Sequence, residues 1–236
     1  MYSIQQNIEQ VTKQIRTAEH KCGRVPSSVQ LLAVSKTKPI EVIKAAIEAG
    51  QKAFGENYVQ EGVEKAQYFT EHYKNSGLEW HFIGPIQSNK TKPIAENFQW
   101  VHSIDRSKIA QRLNDQRPEN LPPLQVLIQI NISGEESKSG TSESEVFQLA
   151  ELISSLPNLT LRGLMSIPAN VSSYQSQLNA FTKLSAIQSK LADKYTNVDT
   201  LSMGMSGDME AAVEAGSTMV RIGTAIFGAR DYTTKS

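Results

Sequence analysis

The chain has 236 residues, a single cysteine, and 24 basic against 24 acidic side chains. That length suits one large α/β domain, and the balanced charge offers no electrostatic footprint for a nucleic acid or an anionic membrane. Cys22 alone cannot close an internal disulfide, no apolar run approaches the roughly 18 residues of a membrane span, and MYSIQQNIEQ lacks the basic-then-apolar order of a secretory signal, so a soluble cytoplasmic protein is expected.

Ile4, Ile8, Val11 and Ile15 recur at helical spacing and predict an amphipathic helix that stops near Gly23 and Pro26. LLAVSKTKP, Leu31 to Pro39, comes next. Leu31, Leu32, Ala33 and Val34 read as a strand buried on both faces, and Lys36 falls just past its end. Pro39 is placed in the first turn of a helix whose stripe is Ile40, Ile43 and Ile47 and whose stop is Gly50; Lys38 should point into that helix start. KAFGENY predicts a second strand, Val59 to Tyr73 a helix, EWHFIG a third strand, Ser88 to Asn97 a weaker helix, and FQWVHSI a fourth strand.

Ile109 and Leu113 belong to a helix closed by RPENLPP, and LQVLIQIN is the fifth strand. Ser133 to Glu143 has the composition of a mobile crossing loop, before a helical stripe of Val146, Leu149, Ala150 and Ile153. LTLRGLMSI makes a sixth strand, and Leu178, Phe181, Leu184, Ile187 and Leu191 line a long helix. VDTLSMG is the seventh strand, Met209 to Ala215 a short helix, and TMVRIG the eighth strand, followed by a short terminal helix. Eight strands alternating with helices, joined by loops too short to hide another domain, predict a single (β/α)₈ barrel over residues 1–236 with an extra N-terminal helix. No G-x-G-x-x-G follows the first strand, which argues against a dinucleotide fold.

Ligand groups in such barrels gather at the carboxyl ends of the strands, with phosphate often held by the loops after strands seven and eight. Here those loops are SMGMSGDME, Ser202 to Glu210, and RIGTAIFG, Arg221 to Gly228; Gly223 would let backbone come close and Thr224 supplies a hydroxyl. Singly, each serine reads first as a helix cap, and Lys36 as a solvated strand end. Together they could cradle one phosphate facing a lysine. A phosphorylated aldehyde that uses an amine nucleophile is pyridoxal 5′-phosphate, with Lys36 as the amine and Arg221 as donor to the pyridine nitrogen. An arginine there keeps that nitrogen neutral and the cofactor a weak electron sink. A sugar-phosphate or other phosphometabolite enzyme remains open on the same residues.

The other polar groups near strand ends are Asn57, His81, Asn89, Lys90, His102, Asn131 and Ser166, of which Asn57 is the best candidate and His81 reads as a hydrogen-bonded core residue. Four scattered histidines and no cysteine pair give no metal pattern, and no G-x-S-x-G elbow is present.

The blocks LLAVSKTKP, FGENYVQE, WHFIGPIQSNK, RGLMSIP, SMGMSGDME and VRIGTAIFGAR, in this order from about residue 30 to 231, resemble the pyridoxal-phosphate homeostasis protein family. The resemblance implies the fold of the alanine racemase barrel domain, an aldimine to Lys36, Ser206, Gly223 and Thr224 at the phosphate, Arg221 at the pyridine nitrogen, and Asn57 and Ser166 in the same pocket. Alanine racemases use a lysine and a tyrosine on opposite faces of the cofactor, the tyrosine coming from a second domain of a partner subunit. The chain ends at Ser236, which leaves no room for that domain. The resemblance therefore implies a non-catalytic, monomeric protein that binds pyridoxal phosphate, keeps cofactor and amino-acid pools in balance, and passes the cofactor to apo-enzymes. The alternative is a slow one-base racemase.

Overall fold

The computed structural model describes residues 3–132, 139–167 and 173–229. Its strands are β1 (Gln30–Val34), β2 (Ala53–Glu56), β3 (Glu79–Phe82), β4 (Trp100–Ile104), β5 (Leu124–Gln129), β6 (Leu159–Met165), β7 (Thr200–Ser202) and β8 (Met219–Ile222). All pair in parallel in sequence order, and β8 returns to β1, closing the barrel. The helices are α1 (Ile4–Lys21), α2 (Ile40–Glu48), α3 (Val59–His72), α4 (Thr91–Asn97), α5 (Ser107–Gln116), α6 (Glu143–Ser155), α7 (Tyr174–Lys194), α8 (Met209–Glu214) and α9 (Thr224–Phe227). Parallel neighbours require a crossover, so every strand points the same way and all carboxyl ends share one face.

α1 is the extra helix before the barrel. Ser3 and Gln6 form a capping box at its start, and Ile8, Val11, Ile15 and Ala18 are its buried stripe. Asn7 donates to the Ile226 carbonyl at 2.8 Å, fastening α1 beside α9. Glu19 accepts the backbone N–H groups of Ser27 (3.0 Å) and Val29 (2.8 Å) and so fixes the entry into β1.

Three local features depart from the sequence expectation. Pro39 is the N-cap of α2 rather than a first-turn residue, with ψ 160° keeping it extended. Ser88–Asn97 is split into a 3₁₀ turn, Ser88–Lys90, and α4. Of Ser133–Glu143, residues 133–138 lie outside the described residues, whereas Thr141 is pinned beside β5. Its N–H donates to the Gln129 carbonyl at 2.8 Å and its own carbonyl accepts from Asn131 at 2.9 Å. α6 then begins at Glu143, because Ser142 and Glu145 make a capping box that overrides the loop-like composition.

The outward faces of the strands and the inner faces of the helices form the main core. Inside the barrel the apolar filling is divided. Leu32, Ala53, Ile83 and Met219, with Val34 against them, form one small cluster, and Trp100, Leu127 and Met165 form another. The rest of the interior is polar, and it leads to the site.

Candidate functional site

Side chains along a strand alternate between its faces. Leu32 and Val34 pack inside the barrel, and the ladder continues past β1, since the Ser35 N–H donates to the Gly55 carbonyl at 3.0 Å. Lys36 therefore follows Leu32 and Val34 on the interior face, at the mouth. The residues on either side of it are gripped from outside the barrel. The Ser35 hydroxyl donates to Glu56 Oε1 at 2.5 Å, and Lys65 Nζ donates to the Ser35 carbonyl (2.8 Å), Glu56 Oε1 (2.9 Å) and Glu61 Oε1 (2.5 Å). Glu61 also accepts the N–H of Thr37, which sits at φ +64°, a left-handed conformation unusual for a β-branched residue. Glu56 is fully buried, and burial pushes its carboxyl up against the opposing pull of Lys65.

Lys38 does not point into the start of α2. Its Nζ donates to the carbonyls of Gly228 (3.1 Å) and Ala229 (2.9 Å), bridging to the segment after β8. With Pro39 an N-cap and Thr37 left-handed, the backbone turns before the helix begins and sends Lys38 sideways.

Arg221 stands opposite Leu32 in the β1–β8 register and is 4 % exposed. Its Nη1 donates to Ser202 Oγ at 2.7 Å and its Nη2 to the Ser166 carbonyl at 3.0 Å. Among the described residues no carboxylate lies within ion-pair distance of it. Burial lowers its pKa to about 10, with Asp208 pulling the other way, so it stays a cation at neutral pH. A buried guanidinium with a partly used donor fork suits a planar acceptor.

Ser166 reaches Arg221 through its carbonyl, while its hydroxyl donates to the Ile130 carbonyl at 3.1 Å. Asn57 follows Ala53 and Gly55 along β2, and its Oδ1 is buried without a hydrogen-bond partner. Its carbonyl presses on Gly84, where an added Cβ would come within 2.2 Å, so β2 and β3 end in close backbone contact that only glycine permits. The loops after β7 and β8 are neighbours because the Arg221 N–H donates to the Gly204 carbonyl at 2.9 Å. Ser206 and Thr224 are exposed on those loops, and at Gly223 a Cβ would stand 3.1 Å from the Val34 carbonyl. Lys36, Asn57, Arg221 and Gly223 thus crowd the same end of adjacent strands β8, β1 and β2, with Ser206 and Thr224 on the rim above β7 and β8.

Sequence reasoning missed Glu56, Lys65 and Ser202. Lys65 sits on the buried stripe of α3 with Gly62, Ala66 and Phe69, and a lysine in that position was the available signal.

A lysine past β1, an arginine inside β8 and hydroxyls after β7 and β8 define a (β/α)₈ barrel of the kind that forms the amino-terminal half of alanine racemases. Residues 6–231 match the family model "Alanine racemase, N-terminal domain". An alanine racemase of Corynebacterium glutamicum shares the fold at a TM-score of 0.65 and 18 % identity, this chain covering 63 % of that one. A pyridoxal phosphate homeostasis protein of Vibrio alginolyticus is 72 % identical over 98 % of this chain and 100 % of its own length. PipY of Synechococcus elongatus, solved with pyridoxal phosphate bound, is 32 % identical with a TM-score of 0.79, covering 96 % of this chain and 100 % of its own. The chain belongs to the pyridoxal phosphate homeostasis protein family.

Proposed function

We propose that this protein binds pyridoxal 5′-phosphate at the barrel mouth, through a reversible covalent bond to the Lys36 amine, and serves as a cytoplasmic, monomeric reservoir that hands the cofactor to apo-enzymes without substantial turnover. The observation that carries this reading is the pairing of Lys36 and Arg221 on the interior faces of adjoining strands, the arginine buried without a carboxylate partner among the described residues. The cofactor supplies an aldehyde, a ring nitrogen that accepts a hydrogen bond, and a phosphate. Arg221 offers the donor for the nitrogen, Ser206, Gly223 and Thr224 a phosphate cradle, and Asn57 Oδ1 and the Ser166 region the flanks. The names of the relatives, homeostasis proteins rather than racemases, support a carrier. Cys22 is a free thiol, as a reducing compartment would keep it; among the described residues no helix is long and apolar enough to cross a membrane.

The test is an absorption titration with pyridoxal phosphate. A visible band should appear in the wild type and be absent from Lys36→Ala, whereas a band of equal strength in the variant refutes the assignment. Turnover is checked by chiral chromatography after incubation with L-amino acids: racemisation faster than about 1 s⁻¹, within the usual enzyme range, would make the protein an enzyme.

A further inference from the structure

Arginine has only donors, and this sets the direction of a hydrogen-bonded line through the barrel. Arg221 Nη1 lies 2.7 Å from Ser202 Oγ, Ser202 Oγ 3.0 Å from His102 Nδ1, and His102 Nε2 2.9 Å from His81 Nδ1; beyond these bonds, His81 Nε2 faces Glu79 Oε2 at 3.8 Å, too far for a hydrogen bond. Ser202, His102 and His81 are fully buried. Ser202 accepts from Arg221, so its own proton must go to its other partner, His102 Nδ1. A bare Nδ1 leaves the His102 proton on Nε2, aimed at His81 Nδ1. The same step then places the His81 proton on Nε2, facing the Glu79 carboxylate. The reverse order strands the Ser202 proton and turns a bare His81 nitrogen toward that carboxylate, two buried penalties at once.

The chain cannot easily slip. Trp100 stacks on His81 with ring centroids 5.2 Å apart and planes 8° from parallel, and the Arg162 guanidinium covers Trp100 at 4.8 Å. Arg162 is itself clamped by Asp199, with contacts of 2.7 and 2.9 Å. Burial lowers the pKa of both interior histidines, His102 strongly with His81 and Arg221 adding to the effect, which keeps both rings neutral.

We propose that Ser202, His102 and His81 are positioning residues for Arg221. They form a one-way chain of hydrogen bonds from Arg221 to His81, both imidazoles protonated on Nε2 and the last Nε2–H facing the Glu79 carboxylate 3.8 Å away, and they hold the guanidinium in register for an acceptor nitrogen at the mouth. The chain deepens the proposed function and rests on the assignment of Arg221 to the cofactor ring. It leads from the mouth toward Glu79, which opens β3 at the opposite end of the barrel. Successive donors polarise one another along the three bonds, and the Glu79 carboxylate adds its field at the far end.

Nitrogen-15 NMR of the cofactor-free protein with labelled histidine and arginine tests it. His81 and His102 should both appear as neutral Nε2–H tautomers, and an Nδ1–H form or an imidazolium at neutral pH for either ring overturns the proposal. The Arg221 guanidinium should rotate slowly in the wild type and faster in Ser202→Ala; unchanged rotation also overturns it. In loaded protein, Ser202→Ala and His102→Leu should weaken pyridoxal phosphate binding on the order of tenfold, the scale of a lost hydrogen bond to a charged group. His102→Gln, whose amide accepts from Ser202 and donates to His81, should restore most of that loss. Equal affinities in all variants would remove the positioning role. Failure of the wild type to bind the cofactor would instead strike the proposed function and leave the tautomer and rotation results to decide the chain.

Discussion

Lys36 and Arg221 stand at one mouth on adjoining strands, and the bonds around them differ in kind. On either side of Lys36 the neighbouring backbone is held: Lys65 donates to the Ser35 carbonyl and Glu61 accepts the Thr37 N–H, with Glu56 between them. At Arg221 they go to the side chain itself, through Ser202 and the Ser166 carbonyl. The first network is made of full charges outside the barrel, and the second links the guanidinium through neutral groups inside it. The proposed covalent role of Lys36 calls for a backbone fixed on both sides of it, which the first network supplies. The proposed role of Arg221, a donor to one ring atom, calls for a fixed guanidinium, which the second supplies.

Breaking the charged network should have the largest effect. Lys65→Met leaves Glu56 buried without its cation, and losing one member of a buried pair costs about 3–5 kcal/mol. Urea unfolding should show that loss, while a Lys65→Met/Glu56→Gln double variant should recover much of it, because no charge is then stranded. A loss of less than about 1 kcal/mol in the single variant would mean that the network does not anchor β1, given the surface-pair scale.

The phosphate rim comes next. Ser206→Ala or Thr224→Val should each weaken cofactor binding by about 1.5–3 kcal/mol, roughly ten- to a hundredfold, without removing the visible band. Equal affinities for pyridoxal and its phosphate ester, measured by the same titration, would contradict the cradle.

The neutral chain should betray itself in acid. His81 and His102 have folded pKa values below their unfolded ones, so the unfolded chain takes up protons first as pH falls. Their contribution is intact above about pH 6.5 and declines below it, by up to about 1.4 kcal/mol per pH unit for each ring. Glu56 runs the other way: its raised pKa gives stability that is present at low pH and lost as pH rises through the carboxylate range. Urea midpoints across pH 5 to 7 should therefore fall with acid in the wild type and less steeply in His102→Gln. A flat wild-type profile would indicate that these histidines are not held neutral.

The barrel was legible because its strands are short apolar runs alternating with helical stripes, and the first of them already placed Lys36 just past a strand end. Arg221 sat within the last strand as read, and His81 does make a core hydrogen bond, to His102. What a linear reading could not supply was partners. His102 and Ser202 are 100 residues apart, and Ser35 and Lys65 are 30, so only closure of the sheet brings them together. Lys38 went astray for a local reason, the left-handed turn at Thr37, which no side-chain pattern announces. The start of α6 was available in Ser142 and Glu145, and was hidden by the polar residues before it.

Three lysines lie near the end of β1. Lys65 is buried and bonds to Glu56, Glu61 and the Ser35 carbonyl, Lys38 bonds to the carbonyls of Gly228 and Ala229, and Lys36 follows Val34 past the strand end. Borohydride reduction of the cofactor-loaded protein, followed by peptide mapping, asks directly which amine carries the cofactor. The label should fall on Lys36, and label on Lys38, Lys65 or Lys90 instead would contradict the assignment of the cofactor to the lysine beside Arg221.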